Sequence, residues 1–342
     1  LTPEFEPTTS QVLRLLGGGA SGAILMALGG GPLRTKELTE RVPGYAPRTI
    51  YRYADKLAEL EVVEREEEPG VPSKVTHTLT DPKGRELYGL VVAYADASFT
   101  RLPDGRIDAH AWGSLSMLAD LWESGLIGEL NLGPRSPTEL ARAEKSLSYH
   151  QVNRRAVLFT IGGFLREDVA RGRRRVYALT DQARRGMALI AGIGRWRHRH
   201  VVPEGAAGLT PRETAGVLRT ALPLVTLPEH GSKRLGIEIA PMEEEGGELD
   251  LVWATIEAKG TVLICEGPLP EVDGHAHGEV TAFVDTILDG PQNGLRLQGD
   301  ERLIRTCFER LHSILWKAWP QGSASPAEGM TDGDDSPELS YS

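Results

Sequence analysis

A self-similarity at a fixed offset constrains this chain more than any motif it carries. Glu37-Leu38 recurs 102 residues on as Glu139-Leu140, and at the same offset Ile50, Ala54 and Leu57 fall on Val152, Ala156 and Phe159. Val62-Val63 likewise falls on Phe164-Leu165, whereas Leu79-Thr80-Asp81 recurs as Leu179-Thr180-Asp181 at an offset of 100. The second copy is therefore two residues shorter in the stretch before its Leu-Thr-Asp. A length change confined to one connection is what a duplicated folding unit tolerates, because loops carry few packing contacts.

Each copy is predicted to run helix, short helix, longer helix, two strands, helix. In the second copy Ser136-Pro137-Thr138-Glu139 supplies an N-cap, a proline at the first helical position and a glutamate at the third. Ser148 with Gln151 opens the next helix, expected through about Ile161, with Val152, Ala156 and Phe159 on its apolar side and Gly162-Gly163 at its end. In the first copy Ala46 takes the place of Ser148, and Pro47 lies in the first turn. Two helices joined tightly, the second with an exposed polar face, form a helix-turn-helix. The hairpin that follows (Phe164 to Val169 and Arg173 to Leu179; in the first copy Val62 to Glu66 and Lys74 to Leu79, with Pro69-Gly70-Val71-Pro72 at its tip) is a wing.

The run Gly31-Pro32-Leu33-Arg34-Thr35-Lys36-Glu37-Leu38, then Pro47-Arg48-Thr49-Ile50 through Leu57, Leu60-Glu61, and Val71-Pro72-Ser73-Lys74-Val75 before Leu79-Thr80 resembles the HxlR-type winged helix-turn-helix regulators, a branch of the MarR-like group. The likeness spans about residues 20–98. The second copy, about residues 112–199, matches the winged-helix pattern without the proline-containing wing. The resemblance implies DNA-binding transcriptional control, usually by a dimer.

An α-helix fits the major groove, and bases are read chiefly from its N-terminal half. The second recognition helix would present His150, Gln151, Asn153 and Arg154, and the first Arg48, Thr49, Tyr51, Arg52 and Lys56. Arg52 and Arg154 are equivalent at the 102 offset. The second wing offers Arg171, Arg173, Arg174 and Arg175 to phosphates, whereas the first carries Glu66-Glu67-Glu68 with only Lys74. Either the first wing stands off and only its helix reads DNA, or the first copy has become a scaffold. A net charge of −10 argues against a polyanion until it is divided. Residues 1–100 carry −3, 101–134 carry −3, 135–200 carry +10 and 201–342 carry −14. In the plainest reading of each residue, a polar helix face is a solvated face and an arginine run aids solubility.

Other patterns are weaker. Gly17-Gly18-Gly19-Ala20-Ser21-Gly22 satisfies GxGxxG without a βαβ unit and is taken as punctuation before a short apolar helix, Ala23 to Leu28. His198 and His200 mark a basic helix end, and His275 and His277 fall in a glycine-containing loop without a carboxylate in ligand spacing, so no metal is expected. Cofactors and catalytic residues are expected to be none. Two distant cysteines, Cys265 and Cys307, suit a reducing cytoplasm. No apolar run spans a membrane, and the opening Leu1-Thr2-Pro3-Glu4-Phe5-Glu6 lacks the features of a secretory signal. Its missing initiator Met suggests a trimmed or engineered end. An excess of Arg (30) over Lys (8) points to GC-rich coding sequence and a high-GC bacterium. The expected location is the bacterial cytoplasm, associated with the nucleoid.

In the last third, a helix from Thr210 precedes three strand-like runs, Arg234 to Ala240, Leu249 to Ala258 and Thr261 to Cys265. A helix over Glu279 to Leu288, a short strand over Leu295 to Leu297 and a last helix through about Trp316 follow. With Leu288-Asp289-Gly290 ahead of Leu295-Arg296-Leu297-Gln298-Gly299-Asp300, this order resembles the sterol-carrier-protein-like domain, which implies an apolar cavity between sheet and helices. The residues alone fit a dimerisation or packing domain equally well. The expected fold class is α+β, with winged helices over 1–108 and 109–205, a sterol-carrier-like domain over 206–320 and a disordered acidic tail over 321–342. The expected function is sequence-specific regulation through double-stranded DNA, with a possible apolar ligand. The chain would act as a monomer with pseudo-dimeric units or as a homodimer. The alternatives are a protein-interaction scaffold and a lipid-binding protein whose winged helices do not bind DNA specifically.

Overall fold

The computed structural model describes residues 7–69, 74–103, 106–170, 174–201, 208–228, 231–241, 249–265, 268–290 and 294–316. The chain opening, the Gly70-Val71-Pro72 wing tip, Arg171, Arg173 and the acidic tail lie outside the described residues.

The first unit is a winged helix-turn-helix. Helices α1 (Thr9–Gly17) and α2 (Ser21–Leu28) lead to strand β1 (Leu33–Arg34), helices α3 (Thr35–Arg41) and α4 (Pro47–Glu59), the hairpin β2 (Val63–Glu68) and β3 (Lys74–Leu79), and helix α5 (Lys83–Ser98). Strand β3 is central, paired with β2 from Val63↔Leu79 to Glu68↔Lys74 and with β1 through Leu33↔His77. The same order follows in α6 (Ala109–Glu123), α7 (Leu126–Asn131), α8 (Pro137–Ala143), α9 (Tyr149–Ile161), β4 (Leu165–Ala170), β5 (Arg174–Leu179) and α10 (Asp181–His200). An isolated bridge, Arg135↔Tyr177, stands where β1 meets β3. The expected caps form: the Ser136 and Ser148 hydroxyls accept from the Glu139 and Gln151 backbone N–H, and both acidic or amide side chains reach back. Each such cap stabilises its helix by about 1 kcal/mol.

Helix α1 packs along α6, and α5 along α10. Arg14 of α1 clasps Glu123 and Asp120 of α6 with Nη2–O distances of 2.5 and 2.7 Å. Helix α10 is buried from Gly186 through Trp196, which explains its long glycine- and alanine-rich apolar run: small residues let neighbouring helices approach closely.

The last unit comprises α11 (Pro211–Ala221), β6 (Lys233–Ala240), β7 (Asp250–Ile256), β8 (Val262–Cys265), β9 (Gly274–Glu279), α12 (Val280–Asp289), β10 (Arg296–Gly299) and α13 (Glu301–Trp316). Its sheet runs β10-β9-β6-β7-β8, with β6 and β9 parallel and the other pairs antiparallel. Strand β9 corrects the sequence reading, which placed His275 and His277 in a loop. Its alternate small residues face the helices because nothing larger fits. A Cβ on Gly274 would lie 3.0 Å from Ile304, and one on Gly278 would lie 2.8 Å from Leu295. The space between sheet and helices, where a carrier-type cavity would open, is filled by Ile237, Ile239, Val252, Phe283, Ile304 and Phe308, all 0–1% exposed.

Several contacts join this unit to the others, two of them at buried side chains. Buried Asn131 donates to Thr220 Oγ1 at 2.7 Å. Arg195 of α10, 8% exposed, pairs with Asp289, with Asp285 at 3.5 Å and with Glu86 of α5 at 3.7 Å. Arg195→Met would leave three acids facing one another. Because Asp285 and Asp289 keep about a third of their surface in water, we expect a loss on the order of 3 kcal/mol in urea unfolding, the lower end for a broken buried pair.

His77, in the first wing, gives a second expectation. Burial, aided by Arg65, holds its imidazole below the usual histidine range. As pH falls through about 6.5 the unfolded chain takes up a proton that the folded unit refuses, so stability is lost towards acid. Tyr177 fills the equivalent place in the second unit. His77→Tyr should lose less stability than the parent between pH 7 and 5, measured by urea unfolding at each pH.

Candidate nucleic-acid interface

In the second unit, α9 is anchored by buried Val152, Ala156 and Phe159 and presents exposed His150, Gln151 and Arg154, with Asn153 half-buried. Asn153 faces the wing rather than Arg154. It lines an open groove of about 690 Å³ with Thr138, Arg142, Tyr149, Arg174 and Arg175. Arg142 and Tyr149 were missed in the sequence. Arg142 lies on the short helix before the turn, where the first copy has Glu40, and Tyr149 directly follows the capping Ser148. Tyr149 is 48% exposed, its ring edge-on to His150 at 5.8 Å. Wing charge is partly countered internally: Arg175 Nε lies 2.9 Å from Glu167 and its Nη1 donates to the Tyr177 hydroxyl at 3.4 Å. The Tyr177 contact and Glu167 hold the guanidinium above its usual range. Arg174 is exposed.

In the first unit Ile50, Tyr53, Ala54 and Leu57 turn inward, leaving Arg48, Tyr51 and Arg52 exposed and Thr49 half-buried. Tyr53 was not singled out in the sequence, and it organises this helix. Its hydroxyl donates to Gly18 O at 2.5 Å, and its ring carries the Arg52 guanidinium at 5.0 Å and the Lys56 ammonium at 5.2 Å. Such contacts contribute about 0.5–1 kcal/mol at exposed sites. Lys56 thereby lies beside the groove between α1 and α4, away from the helix start. Asp55 projects from the exposed face and is paired with Arg65 of the wing. Glu64, Glu66, Glu67 and Glu68 are exposed along β2, and Lys74 is exposed opposite Glu68.

The basic block of residues 135–200 is divided by the fold. Its α10 share is spent inside the molecule: Arg184 donates to Thr220 O at 2.9 Å, Arg185 to Ala97 O at 3.2 Å and Arg197 to Pro7 O at 2.6 Å. Arg199 lies 3.3 Å from Glu86, and His200 Nε2 is 2.7 Å from the same carboxylate. The basic helix end expected at His198 to His200 is thus turned onto acids. Among the described residues of this block, Arg142, Lys145, Arg154 and Arg174 are exposed without an ion pair, and Arg155 is half-buried.

Elsewhere, Glu238 stands between His277 Nδ1 at 3.0 Å and His275 Nε2 at 3.6 Å, a carboxylate that sequence spacing did not reveal. Among the described residues no three His, Cys, Asp or Glu side chains are arranged to hold a metal ion. Cys307 is buried, which pushes its thiol up to about 12, and Cys265 is half-buried. No single helix among the described residues is long and apolar enough to cross a membrane.

Comparison with known proteins places residues 15–100 within the HxlR-like helix-turn-helix family. The HTH-type transcriptional regulator YodB of Bacillus subtilis (strain 168) is 36% identical over 93 residues, covering 26% of this chain and 82% of YodB. The reduced form of YodB, as a solved structure, is 36% identical over 25% of this chain and 85% of that one, with a TM-score of 0.22. The structure of the regulator ytfH from Salmonella typhimurium is 28% identical over 25% and 75%, with a TM-score of 0.24. Through its first unit, this chain belongs to the HxlR-like helix-turn-helix family.

Proposed function

We propose that the chain is a sequence-specific, DNA-binding transcriptional regulator that carries both halves of a dimer in one polypeptide. The observation that carries this reading is the way like meets like: α1 packs on α6, and α5 on α10. Contacts between corresponding helices are what an approximate two-fold axis generates, and such an axis would direct α4 and α9 to one side, as in a dimer reading two half-sites. In this reading residues 1–108 and 109–205 are the two winged helices.

The readers are unequal. On α9, Arg154 and Asn153 are suited to guanine and adenine, with His150 and Gln151 beside them. Arg174 and Arg175, with Arg171 and Arg173 of the same wing, hold phosphates. On α4, Arg48, Tyr51 and Arg52 face outward with Thr49 at their flank, while Lys56 supports them through Tyr53. The acidic strand β2 keeps the first wing off the backbone. A homodimer meets a duplex identically in both orientations, whereas this chain would bind in one. The C-terminal unit, assigned to residues 206–320 with a sterol-carrier-like order of elements, braces α10 through Arg195. Its charge of −14 over residues 201–342 keeps it away from DNA. The filled interior between its sheet and helices favours a brace over an apolar-ligand carrier.

Selection of bound duplexes from random sequences should recover an operator with two unlike half-sites. Recovery of no preferred sequence would favour a protein-interaction scaffold. On the selected duplex, Arg154→Ala should weaken binding by about 1–3 kcal/mol. Arg174→Ala should instead reduce the slope of log affinity against log salt by about 1. Equal slopes for the two variants would remove the distinction between base and phosphate contacts.

A further inference from the structure

Between the last turns of α10 and the first turns of α12 lies a cleft of about 330 Å³. Gly194 and Gly208 line it in backbone contact: a Cβ on Gly208 would lie 1.7 Å from the Gly194 carbonyl oxygen. Leu209, Val280 and Val284 give the cleft an apolar side, and the rest of the lining is polar, with Arg195, His198, Arg199, Thr281 and Asp285.

Two sets of donors at this cleft lack acceptors, and they come from different elements. Arg195, 8% exposed, donates to Asp289 through Nη1, whereas its Nε is buried without a hydrogen-bond partner. Glu86 lies 3.7 Å from that Nε, too far to accept. On the α12 side, the N-cap Glu279 supplies no side-chain cap, and the first turn holds no acid. Helices α8, α9 and α11 instead begin with a serine or threonine hydroxyl on the third amide. The opening amides of a helix carry partial positive charge, so a carboxylate is a fitting acceptor for them and for a guanidinium alike.

The fixed charges exclude a simple anion. Asp285 lines the same cleft, 3.5 Å from Arg195 and 3.7 Å from Arg199. With Asp289 on Arg195 and Glu86 on Arg199, two guanidiniums meet three carboxylates. A bare anion would face Asp285, and a bare cation would face the guanidiniums. A ligand carrying both signs on neighbouring atoms answers both, with its carboxylate at Arg195 and the α12 amides and its ammonium at Asp285. Its apolar body would leave water against Leu209 and Val284. The volume lies at the low end for small-molecule sites, which favours a compact ligand.

We propose that the α10–α12 cleft binds a small aliphatic α-amino acid. Seated there, the ligand joins α10 to the C-terminal unit through groups of both. Binding needs no DNA, so the chain alone suffices to test it.

Isothermal titration of the full chain with L-leucine, L-isoleucine and L-valine should show saturable binding of at least one. Glycine should bind about tenfold or more weakly than the tightest of them, for want of an apolar body. The matching acid without its amine (4-methylpentanoate for leucine) should lose about as much. Asp285→Asn should erase that last difference by weakening the amino acid alone. Thr281→Glu places a carboxylate on the α12 amides from within the chain, where the helix favours it. This variant should keep the parent's midpoint in urea unfolding and lose amino-acid binding. No binding of any of the three amino acids, or unchanged binding in Thr281→Glu, overturns the proposal. So does equal weakening of the amino acid and its amine-free counterpart by Asp285→Asn, which marks Asp285 as structural and not as the partner of the ammonium.

Discussion

The apolar stretch of α10 from Gly186 to Trp196 is surrounded rather than half-covered, meeting α5, α1, α11 and α12. A helix buried on all sides gains more from association than an amphipathic surface helix, and its position is fixed by every neighbour at once. Trp196 donates from its indole to Lys83 O at 2.8 Å, so even the large aromatic is oriented by the first unit. The relation between α4 and α9, and of both to the C-terminal sheet, therefore depends on how this one helix packs. That makes α4 and α9 parts of one body instead of beads on a linker.

The same packing redistributes charge. A +10 block read along the sequence suggests a broad cationic face, yet the α10 arginines mostly satisfy carbonyls and carboxylates inside the molecule. What stays outward is a narrower set on α8, α9 and the second wing, next to an apolar strip on distal α9. The first unit takes the opposite course, with Asp55 tied to Arg65 and a row of glutamates along β2. The asymmetry between the units is therefore chemical, while their backbone plans correspond.

Much of this was legible in the sequence where local chemistry decides structure. The capping pairs Ser136/Glu139, Ser148/Gln151 and Thr210/Glu213 set helix starts because the side chains satisfy backbone N–H groups within three residues. The repeat located both hairpins to within a residue or two. What could not be seen is tertiary. Gly274 and Gly278 look like loop residues until Ile304 and Leu295 press against them, and Glu238 meets His275 and His277 only through strand pairing. Tyr53 escaped notice because its role needs Gly18, Arg52 and Lys56 around it. The destination of the α10 arginines likewise depends on distant partners, 94 residues away for Arg195 and Asp289 and 190 for Arg197 and Pro7.

The central claim is that one chain brings two recognition helices to one duplex. Native mass spectrometry of the full chain with a minimal selected duplex tests it most directly. The account requires one chain per duplex, with binding lost when the duplex is cut to either half alone. Two chains on a symmetric duplex, or full affinity for a single half, would contradict it.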